Sequence, residues 1–142
     1  MKKNKLLLSA LILFGLSVNS VLGQTVYDSL FLVGDATPSG WNIGSPESMV
    51  RDANDTTIFT WQGLLTAGSM KISTFSGNWC DGDWLNAGQA SQPIDSATYI
   101  ITHGCDGPDN QWVVKSENAG LYLLKVNFTS ETISFSQVSH ST

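Results

Sequence analysis

The tryptophans are the residues of this chain whose side chains offer the most distinctive chemistry. Trp41, Trp79 and Trp84 lie among Gly, Asn and Asp residues, where an aromatic ring either anchors a loop or forms an exposed platform. An exposed ring accepts the apolar C–H face of a sugar, while neighbouring polar groups bond its hydroxyls. Trp61 lies in an alternating segment instead, which predicts a position in the core. For the three loop tryptophans, platform and anchor both stay open.

Three further residues have side chains suited to ligand binding. Lys71 lies between two apolar residues of an alternating segment, so it either belongs to a solvated face or donates hydrogen bonds beside a ring. Asn110 lies in an acid and amide cluster that ends at Trp112. Such a cluster either caps a turn or hydrogen-bonds a ligand. For Lys71, and for Asn110 beside Trp112, the structural and the ligand-binding interpretation both stay open.

Catalytic groups are hard to assemble from this sequence. His103 and His140 are the only histidines, and no serine lies in a Gly-x-Ser-x-Gly motif. The many carboxylates leave a glycosidase pair open, yet none lies in an apolar context that would raise its pKa. Residues 81–83 and 106–109 carry oxygen ligands for Ca²⁺ but do not match the EF-hand spacing. The sequence therefore predicts no enzyme, no cofactor and no metal centre.

Cys80 and Cys105 are the only cysteines, and each is followed by Asp-Gly. In an exported protein they would most simply form one disulfide between two polar turns. Closing a loop of about 25 residues would contribute roughly 3 kcal/mol in the chain-entropy model. Free thiols or a metal site with the histidines are the alternatives, although His103-x-Cys105 is a poor zinc spacing.

The N-terminal segment has the three-part layout of a secretory signal. Three lysines lie within the first five residues, an apolar run covers Leu6 to Leu16, and small and polar residues extend to Gly23. The apolar run is shorter than the roughly 20 residues that span a bilayer, which disfavours the alternative of a membrane anchor. We predict a signal peptide over residues 1–23 and one exported domain over 24–142, without a membrane span.

The charge of the predicted mature domain limits its partners. Three of the seven Lys and Arg residues lie before residue 24, whereas all twelve Asp and Glu residues follow it, which leaves a formal net charge of −8. Such a domain repels phosphate backbones, so nucleic acid is excluded as a partner. A neutral ligand or a cation fits this charge better.

The strand signals are short and numerous, and no long segment has helical periodicity. Seven β-forming segments are separated by turn residues: Tyr27–Val33, Thr57–Trp61, Met70–Phe75, Thr98–Ile101, Gln111–Lys115, Leu121–Phe128 and Thr132–Val138. This pattern predicts an all-β fold, an antiparallel immunoglobulin-like β-sandwich of about seven or eight strands, with an up-and-down barrel as the alternative. Residues 76–96 are the least strand-like and are expected to form a long exposed loop.

Several segments together resemble a known family. They are Phe31–Asn42 (FLVGDATPSGWN), Phe59–Gly63 (FTWQG), Leu65–Ile72 (LTAGSMKI), Asp109–Trp112 (DNQW) and Gly120–Asn127 (GLYLLKVN). In this order and spacing the chain resembles domains of the SusE/SusF group of starch-binding outer-membrane proteins over residues 30–138.

The resemblance implies a β-sandwich that binds starch-type glucan, as polysaccharide or oligosaccharide, without cleaving it. Trp41, Lys71, Asn110 and Trp112 match positions of the family pattern, and Trp79 lies in a variable loop that often adds a second ring. The family also implies association with other outer-membrane proteins of glycan uptake.

Three features depart from the family pattern. Family members usually carry several domains in tandem and a lipidated cysteine, whereas this chain has one predicted domain and Gln24 at the expected cleavage site. The cysteine pair is not part of the pattern either. We therefore expect an unlipidated protein, exported to the periplasm or the cell exterior.

Two functions from different classes remain in view. The first is a non-catalytic carbohydrate-binding module, and the alternative is a structural or protein-interaction sandwich that uses its tryptophans as anchors or contacts. A small glycosidase is a more distant third.

Overall fold

A computed structural model describes residues 26–95 and 98–139 of the chain. The predicted signal peptide, Gln24 and His140 lie outside the described residues. Within the described ranges, no helix has the length and apolarity needed to cross a membrane.

The described residues form eleven β-strands and one short 3₁₀ helix, Ser116–Asn118. The strands are β1 Phe31–Val33, β2 Glu47–Ser48, β3 Val50–Arg51, β4 Ile58–Leu65, β5 Gly68–Ser73, β6 Asp83–Ala87, β7 Gln92–Pro93, β8 Tyr99–His103, β9 Trp112–Val114, β10 Gly120–Asn127 and β11 Thr132–Gln137.

The strands assemble into two sheets. One has the order β11-β10-β4-β3, and the other has the order β2-β1-β5-β6-β8, with β9 added to β5 and β7 added to β9. All pairs are antiparallel except β7 with β9. Two separate sheets confirm the predicted all-β sandwich over the closed barrel.

Strand β5 is the centre of the larger sheet. Its first half, from Gly68 to Met70, pairs with β9, whereas its second half pairs with β1 on one side and β6 on the other. Lys71, the residue at this change of partner, opposes Val33 of β1. Every residue of the strand that carries Lys71 is therefore paired with at least one neighbouring strand.

The main core lies between the two sheets, as period-two alternation requires. Phe59, Trp61 and Leu65 of β4 are buried against residues of the larger sheet such as Met70 and Ile72. The predicted core position of Trp61 is confirmed.

The expected loop over residues 76–96 is wrong. Strand β6 lies there and is buried from Trp84 to Ala87, and β7 follows it. Strand β6 pairs with β5 and β8, so it is an inner strand of the larger sheet. Sequence patterns do not reveal β6, because it contains the polar residues Asp83 and Asn86. These side chains are hydrogen-bonded by residues distant in sequence, which reach them only in the folded sheet.

Candidate functional site

Two tryptophan rings are exposed side by side at one end of the larger sheet. Trp41 is 40% exposed and Trp79 is 41% exposed, and both are among the most exposed large apolar residues described. Their ring centroids lie 6.4 Å apart at an interplanar angle of 47°. These two rings, called the ring pair below, form an exposed apolar surface of the kind that contacts the C–H face of a sugar.

A tight turn after β1 positions Trp41. The backbone N–H of Gly34 donates to the carbonyl of Gly40, and Thr37 donates through Oγ1 to the carbonyl of Gly34. Gly34 has φ of 145°, and a Cβ at this position would lie 2.1 Å from the carbonyl oxygen of Ser69. Glycine is therefore required where the turn packs on β5.

The ring of Trp79 is held from behind by Trp84. The two rings are nearly parallel, with an interplanar angle of 10° and centroids 6.0 Å apart. The indole Nε1 of Trp84 donates a hydrogen bond of 3.2 Å to the carbonyl of Trp79. Since Trp84 is itself buried, the exposed ring rests on a fixed support.

A small second core lies beneath the ring pair and joins its two loops. It contains Val33, Ile43 and Trp84, with Phe75 packed edge-on to Trp84. The backbone N–H of Gly77 donates to the carbonyl of Ile43 at 2.8 Å, which links the Trp41 loop to the Trp79 loop. Both rings are therefore positioned before any ligand arrives.

The predicted disulfide between Cys80 and Cys105 is confirmed. It connects the residue after Trp79 to the loop from Gly104 to Asp109, called the rim loop below. Gly104 has φ of 57°, and a Cβ there would lie 3.1 Å from the carbonyl oxygen of Cys80. The two turns are thus tied closely together next to the exposed ring.

Lys71 is buried rather than placed on a solvated face. Its side chain is 11% exposed, its Nζ donates a hydrogen bond of 2.6 Å to Asp109, and Nζ lies 3.8 Å from the ring centroid of Trp84. The carboxylate and the ring face both stabilise the ammonium at this depth.

Lys71 and Trp79 both line a cavity of about 210 Å³, called the Trp79 cavity below. Its walls combine the tryptophan rings, buried polar residues of β6 and β8, and the rim loop. The lining residues are Lys71, Trp79, Trp84, Asn86, Thr102, Gly104, Cys105, Asp106, Gly107, Pro108 and Asp109.

Asn86 and Thr102 bring buried polar atoms to this cavity. Asn86 is 1% exposed, and its Nδ2 donates to Thr102 Oγ1 at 2.9 Å and to the carbonyl of Pro108 at 3.2 Å. Its Oδ1 is buried and has no hydrogen-bond partner among the described residues. Buried acceptors are almost always satisfied, so this unpaired one is an unusual feature of a residue that lines a cavity.

The structure does not bring all the predicted site residues together. Trp112 is fully buried, and its ring packs against Phe135 in the main core, so it offers no exposed face. Asn110 is half-buried and does not line the Trp79 cavity. Trp41, Lys71 and Trp79 are thus the predicted residues that surround one site.

A second polar cluster lies at the start of β6, near the same end of the sheet. Asp83 accepts hydrogen bonds from Tyr27 at 2.9 Å and from His103 Nδ1 at 2.6 Å. The bond from His103, together with that from Tyr27, holds the pKa of Asp83 below its usual value. Burial and the neighbouring carboxylate raise the pKa of Tyr27 to about 12. The cluster ties the segment before β1 to the β6–β8 edge.

Sequence reasoning missed Asn86 and Thr102. Asn86 interrupts the apolar run Trp84-Leu85-Asn86-Ala87, and a polar residue inside such a run is a signal that a buried strand presents one functional side chain. Thr102 gives no comparable signal, because threonine is common in strands of every exposure.

Comparison with known proteins finds no matching family model, no matching curated protein and no matching solved structure. The site must therefore be interpreted from its own geometry.

Proposed function

We propose that this protein is a non-catalytic carbohydrate-binding module whose ligand is a neutral, glucan-type saccharide. The observation that carries the proposal is the exposed ring pair of Trp41 and Trp79 beside the polar Trp79 cavity. Saccharides present an apolar C–H face and a rim of hydroxyls, and this site offers an aromatic surface next to fixed donors and acceptors.

The charges around the cavity favour a neutral ligand. The ammonium of Lys71 is paired with Asp109, and a second carboxylate, Asp106, lies in the rim loop. An anionic ligand would meet the two carboxylates, and a cationic ligand would meet the buried ammonium. A neutral polyhydroxylated ring is repelled neither by the carboxylates nor by the ammonium.

Binding without cleavage fits the chemistry of the carboxylates in this region. Asp109 is bound to Lys71 at 2.6 Å, and its side chain is 65% exposed. A glycosidase acid needs an apolar environment that keeps it protonated near neutral pH. A carboxylate fixed to an ammonium in an open rim loop lacks that environment.

The pre-positioned rings also support a binding role. Trp79 rests on Trp84, and the disulfide at Cys80 fixes the chain next to it. A rigid site loses little conformational entropy when its ligand binds, which raises affinity for the same contacts.

The alternative of a protein-interaction module has one observation of its own. Leu64 and Leu123 are 53% and 39% exposed on neighbouring strands β4 and β10. These leucines lie on the sheet opposite the one that carries the ring pair, so variants separate the two hypotheses cleanly.

Calorimetric titration and affinity electrophoresis against α- and β-linked glucans test the proposal. We expect the wild type to bind and its affinity to fall at least about fivefold in Trp41→Ala and Trp79→Ala, because stacking on one ring contributes on the order of 1 kcal/mol or more. Leu64→Ala is the control, because it removes an exposed apolar side chain outside the site.

The control should bind like the wild type. Absence of binding to every neutral glycan tested, or equal binding by the tryptophan variants, would contradict the proposal. Loss of a protein partner in Leu64→Ala would instead favour the interaction module.

A further inference from the structure

We infer that the Trp79 cavity is a subsite for one terminal sugar ring, with Asn86 and Thr102 of its lining as the residues that select a chain end. This inference rests on the proposed function and adds the mode of recognition. The ring pair alone would accept the middle of a chain, whereas the cavity that Trp79 shares with the rim loop has room for a single terminal ring.

The size of the cavity limits what enters it. Its volume is about 210 Å³, below the roughly 300–1,000 Å³ of pockets that enclose ligands of several rings. Trp79 and Trp84 line it together with the rim loop, and the buried strand residues Asn86 and Thr102 line it as well. One ring fits such a space, and a continuous run of rings does not.

The orientation of the Asn86 amide is fixed by chemistry. The carbonyl of Pro108 only accepts hydrogen bonds, so the group that faces it at 3.2 Å must be the Nδ2 donor. The second Nδ2 hydrogen goes to Thr102 Oγ1. Oδ1 of Asn86 is therefore an acceptor that is committed to no residue described in the structure.

Thr102 supplies the complementary group. Its Oγ1 accepts the hydrogen bond from Asn86, so its own hydroxyl hydrogen is directed elsewhere. Thr102 is 8% exposed and lines the cavity beside Asn86. Asn86 and Thr102, which both line the cavity, thus carry one acceptor and one donor that no described residue uses, and a sugar hydroxyl or a pair of neighbouring hydroxyls would satisfy both.

A buried acceptor also gives selectivity. A ligand that leaves Oδ1 of Asn86 unpaired loses the hydrogen bond and keeps the desolvation cost of the amide oxygen. A ring-closed saccharide has no terminal unit to insert, so it can use only the exposed ring pair. The change between the wild type and a variant in the ratio of affinities for the linear and cyclic forms of one glucan therefore reports on the cavity.

The experiment compares linear maltoheptaose with its ring-closed counterpart, β-cyclodextrin, by calorimetric titration. We expect the wild type to prefer the linear form by about tenfold. Asn86→Ala should reduce this preference to about twofold or less while it retains binding to the cyclic form. Trp41→Ala is the matched control, because it should weaken both ligands by a similar factor and leave the ratio unchanged.

Two additions keep the test decisive if Asn86→Ala folds poorly. Thr102→Val preserves the shape of the side chain and removes its hydroxyl, and it should lower the same ratio. In isotope-labelled wild type, saturating maltoheptaose should shift the side-chain amide resonances of Asn86, which needs no substitution at all.

The outcomes separate this inference from the proposed function. Equal affinity for the linear and cyclic forms, with unmoved Asn86 amide resonances, would overturn the terminal subsite and leave the carbohydrate-binding module standing. No binding to any neutral glycan would overturn both.

Discussion

At the scale of single residues, Asp83 shows how one side chain joins distant parts of the chain. It accepts hydrogen bonds from Tyr27, before β1, and from His103, at the end of β8. Both bonds are stronger to the ionised carboxylate than to the neutral acid, so the bond from His103, together with that from Tyr27, lowers the pKa of Asp83 below its usual value of 3.8. Its stabilisation is therefore fully present above about pH 5, where the carboxyl is ionised in the unfolded chain as well, and is lost as the pH falls through the lowered pKa.

We expect Asp83→Asn to be less stable than the wild type at neutral pH, with a difference that shrinks as the pH falls from 5 towards 2. The reason is that protonated Asp83 and asparagine are both neutral, so neither accepts hydrogen bonds from His103 and Tyr27 as strongly as the carboxylate does. Urea denaturation at a series of pH values measures the difference. A difference that stays constant or grows in acid would show that Asp83 does not titrate with a lowered pKa.

The tryptophans show how far residue types predict a site. Trp41, Trp79 and Trp112 all adjoin polar residues, yet the first two are exposed and the third is fully buried. Trp112 begins a β-strand in which it shares a face with buried Val114. This alternation is the feature of the sequence that indicates burial of the ring. Burial of Trp112 depends on a partner, β5, that is far away in sequence, and local composition does not report it.

At the scale of elements, the turn after β1 decides where Trp41 lies. Gly34 approaches β5 so closely that a methyl group would meet the Ser69 carbonyl. Gly44, in the same loop, has ordinary space around it, with Asn42 Oδ1 at 3.5 Å as the nearest contact. The two glycines form a natural comparison between a required and a permissive position.

We expect Gly34→Ala to destabilise the fold by about 2 kcal/mol or more and to weaken ligand binding, because the turn must shift away from β5. Gly44→Ala should stay within about 0.5 kcal/mol of the wild type. Thermal or urea unfolding provides the measurement. Similar stabilities for the two variants would mean that the turn relaxes without cost.

The elements that sequence reasoning found are those whose apolar residues alternate locally. Strands β4, β5, β8, β9, β10 and β11 begin and end within four residues of the predicted segments. Strand β6 was missed because its ends are rich in Asp, Asn and Gly, and because its burial results from pairing with β5 and β8. The Trp79 cavity was missed with it, since Asn86 belongs to that strand.

At the scale of the whole molecule, the charge of the protein should not affect the binding of its proposed ligand. The chain carries a formal net charge of −5 in full, and the predicted mature domain is more acidic still. A neutral glycan carries no charge whose interaction with the protein salt could screen, so its affinity should not depend on ionic strength.

We therefore expect the affinity for a neutral glucan to change by less than about twofold between low and high salt. A polyuronate of similar length should bind more weakly at low salt, because its carboxylates meet the acidic surface. Titration of both ligands over a range of sodium chloride concentrations tests this. A steep salt dependence for the neutral glucan would contradict the proposed uncharged recognition.

The long pairing of β4 with β10 has a consequence for how the chain reaches its native state. Leu65 opposes Gly120 and Ile58 opposes Asn127, so this ladder closes around the whole intervening segment that carries Lys71, Asn86 and the rim loop. Such non-local pairing gives a high contact order. Chains of this kind fold slowly, because the entropy of closing a long loop is lost before the stabilising contacts between its ends form. Until the last two strands emerge, β4 has an open edge towards β10, and the binding apparatus belongs to a chain whose smaller sheet is unfinished. We therefore expect recognition of a ligand to become available only after the C-terminal hairpin has docked against β4.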